Sequence, residues 1–369
     1  MKFVHTADWH IGMKFGSFDP EHAKIARKAR LEAAERLVRM ANENHAELIL
    51  IAGDLFQDNA VDRSTVTQTA NILSKFNGRV FIIPGNHDPL VPGSVWDHAT
   101  SWKSYQNITI FRRNEPEDLP GCVIYPCVAS SKYNSCDPTE WIEAADRDKI
   151  SIGMAHGNVN VLQVEAKDTP MPENAPELRG LDYLALGHWH SSVLFGKGEV
   201  RRMAYSGTHE QGSFRESGGG NALLVEIADR HATPVITTLR TGGLRWNSAS
   251  HEMGAEEDLN DLSRKMAAIE APEKTILELT LNGFLFPNTM DELDRLSIDW
   301  RERFLAFNMD VSGMRPSPRN DEWLNLLPRG IVRDTASDLI GMAQGETRES
   351  LVAIEALMEL YKISHEVPK

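Results

Sequence analysis

The first half of the chain alternates short apolar runs with amphipathic stretches, a pattern typical of successive βαβ units. Between the first two apolar runs, Ile25, Ala29, Ala33, Leu37 and Ala41 are spaced four apart, which predicts one apolar face of a helix. The pattern predicts strands at 2–5, 47–52 and 80–83 and helices at 21–44 and 64–76. The start of the chain is therefore expected to be an α/β domain.

Further apolar runs follow with fewer helical stretches between them. They predict strands at 108–111, 122–125, 150–155, 183–186, 202–206 and 222–227. So many strands with few intervening helices indicate two sheets packed face to face, with helices on the outside.

The character of the sequence changes after Asp229. The pattern predicts a small βαβαβ domain, with strands at 234–239, 275–281 and 308–312 and helices at 256–269 and 290–307. A linker rich in Pro, Arg and Ser follows at 314–320, and two helices, 332–343 and 346–363, are separated at Gly345. We therefore expect a main domain at 1–232, a capping domain at 233–318 and a helical C-terminal segment at 319–369.

Composition narrows the class of protein. Hydrophobic residues make up 41% and charged residues 25% of the chain, and no apolar run is long enough to cross a bilayer. Because the N-terminus also lacks the apolar segment of a signal peptide, we expect a cytoplasmic protein with no membrane association. The spacing of the three cysteines, Cys122, Cys127 and Cys136, is typical of neither a metal site nor a disulfide framework. We therefore expect them to be small buried hydrophobic residues.

The net charge of −14 is unusual for a protein that binds nucleic acid, because Lys and Arg contacts to phosphates supply most non-specific affinity. Bound divalent cations offset part of such a charge locally, and a basic partner subunit supplies more. The charge therefore predicts dependence on metals, and on a partner if the substrate is DNA.

Candidate chemistry lies in five short motifs, each directly after a predicted strand. They are Asp8-Trp9-His10, Gly53-Asp54, Gly85-Asn86-His87-Asp88, Ala155-His156-Gly157 and Gly187-His188-Trp189-His190. Functional groups of α/β sheets collect on loops at the carboxyl ends of strands, so we expect all five motifs to meet at one edge.

Imidazole and carboxylate groups in this number are suited to borderline divalent metals such as manganese, iron and zinc. Asp54 is expected to bridge two ions with its two oxygens. A metal pair about 3.5–4 Å apart lowers the pKa of bound water and makes water the nucleophile in phosphoryl displacement. Glycines beside most of the motifs are expected to permit tight turns.

The ordered motifs D-x-H, GD, GNHD, H and GHxH, over residues 8–190, resemble the signature of the calcineurin-like metallophosphoesterase superfamily. The opening HTADWHIG together with GDLF more narrowly resembles the SbcD-like DNA repair exonuclease family. The resemblance implies two divalent metal ions, most often manganese. It assigns Asp8, His10 and His190 to one ion, Asn86, His156 and His188 to the other, and Asp54 to both.

The same resemblance implies that His87 acts on the leaving oxygen as a general acid, with Asp88 holding its ring. Some relatives carry a further histidine directly after GDLF, where this chain has Gln57, so the balance between exonuclease and endonuclease action stays open. Lys14 is expected to contact a phosphate backbone. Trp189 is expected either to stack on a base or to pack internally.

The function that we expect is a metal-dependent DNA nuclease that cleaves phosphodiester bonds with metal-activated water. Residues 233–318 resemble in architecture a capping domain that guides DNA, and the resemblance implies a homodimer with an SbcC-like, SMC-related ATPase. The C-terminal helices either dock on that ATPase or pack on their own domain.

Two alternatives remain open. Phosphodiesterases that act on small nucleotides share every metal ligand, and a scaffold that binds DNA ends with little catalysis would retain the metals. A phosphoprotein phosphatase is disfavoured, since GDLFQDN and GNHDP replace the GDxVDRG and GNHE of that class.

Overall fold

The structure is a computed structural model that divides into two compact units, Met1–Leu244 and Arg245–Lys369. The residues that it describes are 1–98, 102, 104–144, 148–160, 169–216, 218–285, 287–316, 324, 327, 329–343, 347–350, 352–353, 356–357 and 359–360.

The first unit contains two six-stranded sheets. Its strands are β1 (Lys2–Thr6), β2 (Leu48–Ala52), β3 (Arg79–Ile83), β4 (Ile108–Ile110), β5 (Glu117–Asp118), β6 (Cys122–Pro126), β7 (Ile150–His156), β8 (Asn158–Val159), β9 (Pro170–Met171), β10 (Tyr183–Gly187), β11 (Val193–Lys197), β12 (Val200–Tyr205), β13 (Asn221–Glu226) and β14 (Val235–Arg240). One sheet has the order β14-β13-β1-β2-β3-β4 and the other β11-β12-β10-β7-β6-β5, while β8 and β9 form a separate pair. The predicted two-sheet α/β architecture is confirmed.

One hydrophobic core lies between the two sheets. Phe3, Leu50 and Phe81 project into it from the first sheet, and Ile152 and Tyr183 from the second. Side chains of a strand alternate between its two faces, so a run that is buried throughout, such as β2, must be covered on both sides. Burial of each large apolar side chain contributes roughly 1.5–3 kcal/mol.

Helices cover the outer faces of the sheets. They are α1 (Pro20–Glu43), α2 (Arg63–Leu73) and the short α3 (Ala175–Arg179). Asp19 caps α1 by accepting hydrogen bonds from the backbone N–H groups of Glu21 and His22, at 3.1 and 3.2 Å. The alanine-rich face of α1 packs on the first sheet together with α2. Residues 21–44 and 64–76, predicted as helices, thus match the structure within a few residues.

Parallel pairing determines where the motifs meet. Strands β1, β2 and β3 are mutually parallel, as are β7, β10 and β12. All of the candidate motifs lie at or directly beyond the carboxyl ends of these strands. The topology therefore collects the motifs at one edge, as expected.

The second unit contains β15 (Arg245–Met253), α4 (Asp258–Ala267), β16 (Thr275–Leu285), α5 (Pro287–Arg303), β17 (Ala306–Pro316) and α6 (Ile331–Met342). Its three strands form one parallel sheet, which matches the predicted βαβαβ order. Leu277, Leu279 and Leu281 of β16 pack in its core with Trp300 of α5.

Two details of the second unit differ from expectation. The strand predicted at 234–239 is β14, which pairs antiparallel with β13 in the first unit, beyond the boundary expected at residue 232. The first strand of the βαβαβ unit is instead β15, whose polar sequence RWNSASHEM gave no apolar signal. Strand β17 continues through Pro316, into the predicted linker.

Parts of the C-terminal predictions lie outside the described residues. These are 317–320 of the linker, Gly345, and much of the helix at 346–363, including Leu351, Ile354 and Met358. Among the described helices, none is both long enough and apolar enough to cross a membrane.

A buried and an exposed leucine provide a test of the core between the sheets. We predict that Leu50→Ala lowers the free energy of unfolding by about 2–5 kcal/mol, because Leu50 is fully buried and leaves a cavity. The matched variant Leu178→Ala, at a side chain that is 57% exposed, is expected to change it by less than about 1 kcal/mol. Urea unfolding of both variants measures the difference, and equal losses would contradict the assignment of this core.

Candidate metal centre

The candidate ligands occupy backbone conformations that are uncommon for residues other than glycine. Asp8, His10, Asp54 and His188 have φ angles of 55°, 43°, 52° and 106°. Such conformations cost free energy for L-residues and tend to occur at functional sites, where the surrounding fold enforces them. Here they turn four polar side chains out of the strand direction and toward one point.

Backbone hydrogen bonds hold the first two loops together. The N–H of Asp8 donates to the carbonyl of Gly53 at 3.1 Å, and the N–H of His10 donates to the carbonyl of Asp54 at 3.0 Å. The carboxylates join the remaining loops to this pair. Asp54 Oδ1 accepts from the N–H of His87 at 2.8 Å, and both oxygens of Asp8 accept from the N–H of His188, at 3.0 and 3.1 Å. Each aspartate thus helps to fix the loop that carries another ligand.

Two glycines are required by close approach, and one of them, Gly53, by its backbone conformation as well. A Cβ on Gly53, where φ is +93°, would lie 2.2 Å from Nδ1 of His156. A Cβ on Gly85 would lie 2.2 Å from Oδ1 of Asp54. Both distances are far inside van der Waals contact, so a larger residue at either position would push the ligands apart.

The first group of ligands is Asp8, His10 and His190, whose nearest oxygen and nitrogen atoms lie within 4.8 Å of one another. Nε2 of His10 and Nε2 of His190 are only 3.0 Å apart. Asp8 and His10 are almost fully buried. These three residues are the ones assigned to one metal ion from the sequence.

The second group surrounds Asp54 and His156. Nδ1 of His156 donates to the carbonyl of Ala52 at 2.8 Å, which directs Nε2 toward Asn86 Oδ1 at 2.8 Å and Asp54 Oδ2 at 3.2 Å. Nδ1 of His188 lies 3.1 Å from the same oxygen of Asn86. Asp54 also lies close to His10, with 3.9 Å between Oδ2 and Nε2. The structure therefore brings together all seven ligands expected from the sequence, with Asp54 between the two groups.

Burial makes the charge state of this cluster depend on its neighbours. Burial raises the pKa of Asp8 to about 6, and the charge of Asp54 adds to that shift. Burial also opposes ionisation of Asp54, but the imidazoles around it, His156 above all, hold its pKa below the usual range. Burial lowers the pKa of His156, yet Asp54 more than reverses this and raises it to about 10. Positive charge is favoured at this point of the fold.

The donor set fits divalent cations. In the second group, the unprotonated Nε2 of a neutral His156 would face two oxygen acceptors, from Asn86 and Asp54, with no hydrogen between them. Where neither Nε2 of His10 nor Nε2 of His190 carries a hydrogen, their lone pairs would face each other in the same way. Lone pairs that converge in a buried site require a proton or a cation, and nitrogen with carboxylate oxygen suits borderline divalent metals.

The predicted partner of His87 requires a correction. We expected Asp88 to hold the His87 ring, but Nδ1 of His87 donates to the backbone carbonyl of Gln57 at 3.0 Å. Asp88 is fully buried and accepts from the N–H groups of Phe56 and Gly85, at 2.9 and 2.7 Å. Its short side chain turns back onto its own loop, so Asp88 fixes the loops around His87 rather than the ring itself.

Glu216 is a functional candidate whose role the motif spacing did not reveal. Its Oε1 accepts a hydrogen bond from Nδ1 of His190 at 2.9 Å, and its Oε2 accepts from the N–H of Gly212 at 2.5 Å. A carboxylate in this position fixes the ring orientation of a metal-binding histidine and increases its basicity. No spacing rule links Glu216 to His190, since the loop that carries it approaches the site only in the folded chain.

Arg30 also lies beside the site rather than on an exposed basic face. It is 2% exposed, and it donates to the carbonyl of Trp9 at 2.9 Å and to Thr208 Oγ1 at 3.1 Å. Other basic residues of α1, such as Lys28 and Arg39, pair with acidic residues one turn away. The helix therefore offers less free positive charge than its sequence indicates.

The remaining candidates occupy the surroundings of the site. Trp189 is partly buried and packs against the core behind the second sheet, and its Nε1 donates to Asn158 Oδ1 at 3.0 Å. Of the two roles expected for Trp189, this arrangement corresponds to internal packing. Lys14 is exposed in the loop before α1. His5 bonds Tyr183 and the carbonyl of Leu186, and His209 stacks on Trp9 and bonds the carbonyl of Arg30, so both are structural.

Comparison with known proteins identifies the class. The family model described as calcineurin-like phosphoesterase matches residues 1–202, more than half of the chain. The chain belongs to this family. It is accordingly a metal-binding phosphoesterase of a family that binds two divalent metals, and the clusters of Asp and His side chains that could hold a metal ion lie within the matched residues.

Individual relatives add little detail. The chain is 26% identical over 299 residues to an uncharacterized metallophosphoesterase, YhaO, of Bacillus subtilis (strain 168), covering 77% of this chain and 69% of that protein. TT1561 of Thermus thermophilus superposes with a TM-score of 0.42 at 12% identity, covering 65% and 98% of the two chains. Purple acid phosphatase PPD1 of yellow lupin (Lupinus luteus) superposes with a TM-score of 0.41 at 10% sequence identity, covering 65% of this chain and 51% of that chain. Superpositions at this level carry no functional information.

The contact between Glu216 and His190 predicts an effect on metal affinity. Glu216→Ala is expected to weaken binding of Mn²⁺ by about 10–100-fold, because His190 loses the acceptor that orients its ring. Glu216→Gln, which keeps an acceptor oxygen, is expected to restore part of that loss. Calorimetric titration measures the affinities, with the exposed Glu177→Ala as control. Unchanged affinity in Glu216→Ala would refute the orienting role.

Proposed function

We propose that the chain is a metal-dependent DNA nuclease that hydrolyses phosphodiester bonds. The proposal rests on the position of Asp54, which lies between two groups of buried candidate ligands, with His87 close to them. Two divalent ions held there would supply an activated water and stabilise the charge that develops on the phosphate. Manganese suits the mixed nitrogen and oxygen ligands, and we propose it as the native metal.

The assignment of ligands follows from the two groups. Asp8, His10 and His190 would hold one ion, and Asn86, His156 and His188 the other, with Asp54 binding both. Support comes from the directions of the ring nitrogens, which the Ala52 carbonyl fixes in His156 and Glu216 fixes in His190. Preorganised ligands of this kind hold cations without rearrangement of the fold.

Within this proposal, His87 is the general acid. Its Nδ1 donates to the Gln57 carbonyl, which leaves the ring a second nitrogen to give a proton to the leaving oxygen. One ring nitrogen of His87 lies within 4.8 Å of ligand atoms of both His10 and Asp54, so the proton would be delivered next to the cations. Gln57 and Asp88 act as positioning residues, since they hold the ring and its loop.

Two sequence features favour DNA over a small nucleotide as the substrate. The opening HTADWHIG with GDLF resembles nucleases of repair complexes, and the second unit has the βαβαβ architecture proposed for a capping domain. A phosphodiesterase for small nucleotides has no need of such a unit. Lys14 on the exposed loop before α1 is proposed to contact the phosphate backbone.

The proposal includes a homodimer and an SMC-related ATPase partner. Ile331, Val332 and Met342 of α6 are 84%, 44% and 53% exposed, and exposed apolar side chains on one helix are typical of docking faces. Light scattering is expected to give twice the 41.3 kDa mass of the chain. A monomer at all accessible concentrations would exclude the homodimer.

The His87 assignment can be separated from metal binding. We predict that His87→Ala keeps a normal metal content while turnover of single-stranded and duplex DNA falls by about 10²–10⁴-fold, the usual contribution of a general acid. His22→Ala, at a partly exposed histidine in the first turn of α1, serves as the control and should retain full turnover.

Metal analysis and turnover must be measured on the same preparations. DNA cleavage by the unaltered chain that requires Mn²⁺ would support the nuclease proposal. Rapid hydrolysis of small phosphodiesters with no cleavage of any DNA would contradict it and favour the small-nucleotide alternative. Metal binding without turnover of either substrate would favour a DNA-binding scaffold.

A further inference from the structure

A small cavity lies next to the second group of ligands in the first unit. Asn86 and His156 form one side of it, and Cys127, Ser130, Ser131 and Asn134 line the other. We call it the loop cavity. Its volume of about 160 Å³ equals that of roughly five water molecules, so it accommodates one small chemical group and is well below the size of sites for drug-sized ligands.

Among the described residues that line the loop cavity, none carries a carboxylate. The chain has a net charge of −14, so acidic side chains are common on its surface, and a wall without them beside the candidate metal ligands is unusual for this protein. The Ser131 hydroxyl donates to the carbonyl of Tyr133 at 2.7 Å, so toward a ligand its oxygen can still accept, and Oδ1 of Asn134 accepts from the N–H of Cys136 at 3.0 Å. A serine hydroxyl such as that of Ser130 can both donate and accept. Such a wall suits a neutral, hydroxylated group attached to a phosphate.

The far wall is fixed relative to the ligands. The carbonyl of Ala129 accepts from the N–H of Leu90, at 2.9 Å, and Leu90 follows directly on the GNHDP segment. The N–H of Cys127 donates to the carbonyl of Met154 in β7, at 2.8 Å, and the N–H of Val128 donates to Asn114 Oδ1 at 2.9 Å. The far wall is therefore held at a fixed distance from Asn86 and His156.

The loop that supplies the serines also carries a cation and an aromatic ring. Tyr133 is 72% exposed, and Nζ of Lys132 lies 5.7 Å from the centre of its ring. Exposed aromatic rings stack on bases, and lysines contact the backbone, in proteins that bind single-stranded nucleic acid. Both groups lie on the loop that also supplies the serines.

We propose that the loop cavity binds the sugar of the nucleotide next to the scissile phosphodiester. Ser130 and Ser131 hydrogen-bond the sugar, while Lys132 and Tyr133 contact the adjoining phosphate and base. This subsite rests on the proposed phosphodiesterase function and makes it specific for nucleotides over other phosphodiesters. It also explains how a strongly acidic chain recognises a nucleotide next to its metals.

Two chromogenic phosphodiesters with the same leaving group test the subsite. Thymidine 5′-monophosphate p-nitrophenyl ester carries the sugar and base, whereas methyl p-nitrophenyl phosphate lacks both. The variants are the double substitution Ser130→Ala with Ser131→Ala and the cavity-filling Ser130→Leu, both on an exposed loop. Ser248→Ala, on an exposed strand position of the second unit, is the matched control.

For both variants we expect kcat/KM for the thymidine ester to fall about tenfold, and kcat/KM for the methyl ester to change less than about twofold. The double alanine variant loses two hydrogen bonds to the sugar, whereas the leucine of Ser130→Leu occupies the space of the sugar. Equal losses on both esters, or no loss on either, would overturn the subsite while leaving the phosphodiesterase function intact. Failure of the unaltered chain with Mn²⁺ to hydrolyse either ester would overturn the subsite, and failure to cleave DNA as well would overturn the proposed function with it.

Discussion

The structure depends on two carboxylates, those of Asp8 and Asp54, that are buried within a few ångströms of four imidazoles. Burial of an ionised carboxylate costs roughly several kcal/mol unless opposite charge compensates it. Protons on the histidines provide part of that compensation, as the raised pKa of His156 indicates. Divalent cations would provide it more completely and would also satisfy the nitrogen lone pairs that converge where Nε2 of His10 approaches Nε2 of His190.

The surrounding fold keeps these groups together in several ways. Left-handed backbone at Asp8, His10 and Asp54 turns the side chains inward, and the close approach of His156 to Gly53 leaves no room for a Cβ. The carboxylates of Asp8 and Asp54 also accept hydrogen bonds from the backbone N–H groups of His188 and His87, so each ligand is part of the scaffold for another. A substitution at one ligand is therefore expected to disturb more than one coordination position.

Much of this arrangement was predictable from the sequence. The apolar runs at 2–5, 47–52 and 80–83 are typical of parallel strands, and the motifs Asp8-Trp9-His10, Gly53-Asp54 and Gly85-Asn86 directly follow them. Strand β15 escaped prediction because its buried positions include His251 and Met253 among polar residues, with no apolar run. The partner of His87 could not be predicted either, since a backbone carbonyl leaves no trace in the residue type of Gln57. Glu216 contacts His190 only through tertiary folding.

Anomalous diffraction from crystals grown with Mn²⁺ locates the cations and their ligands together. We expect two anomalous peaks about 3.5–4 Å apart, with the Asp54 carboxylate bound to both ions. A single peak, or two peaks of which either lies outside coordination distance of Asp54, would contradict that expectation.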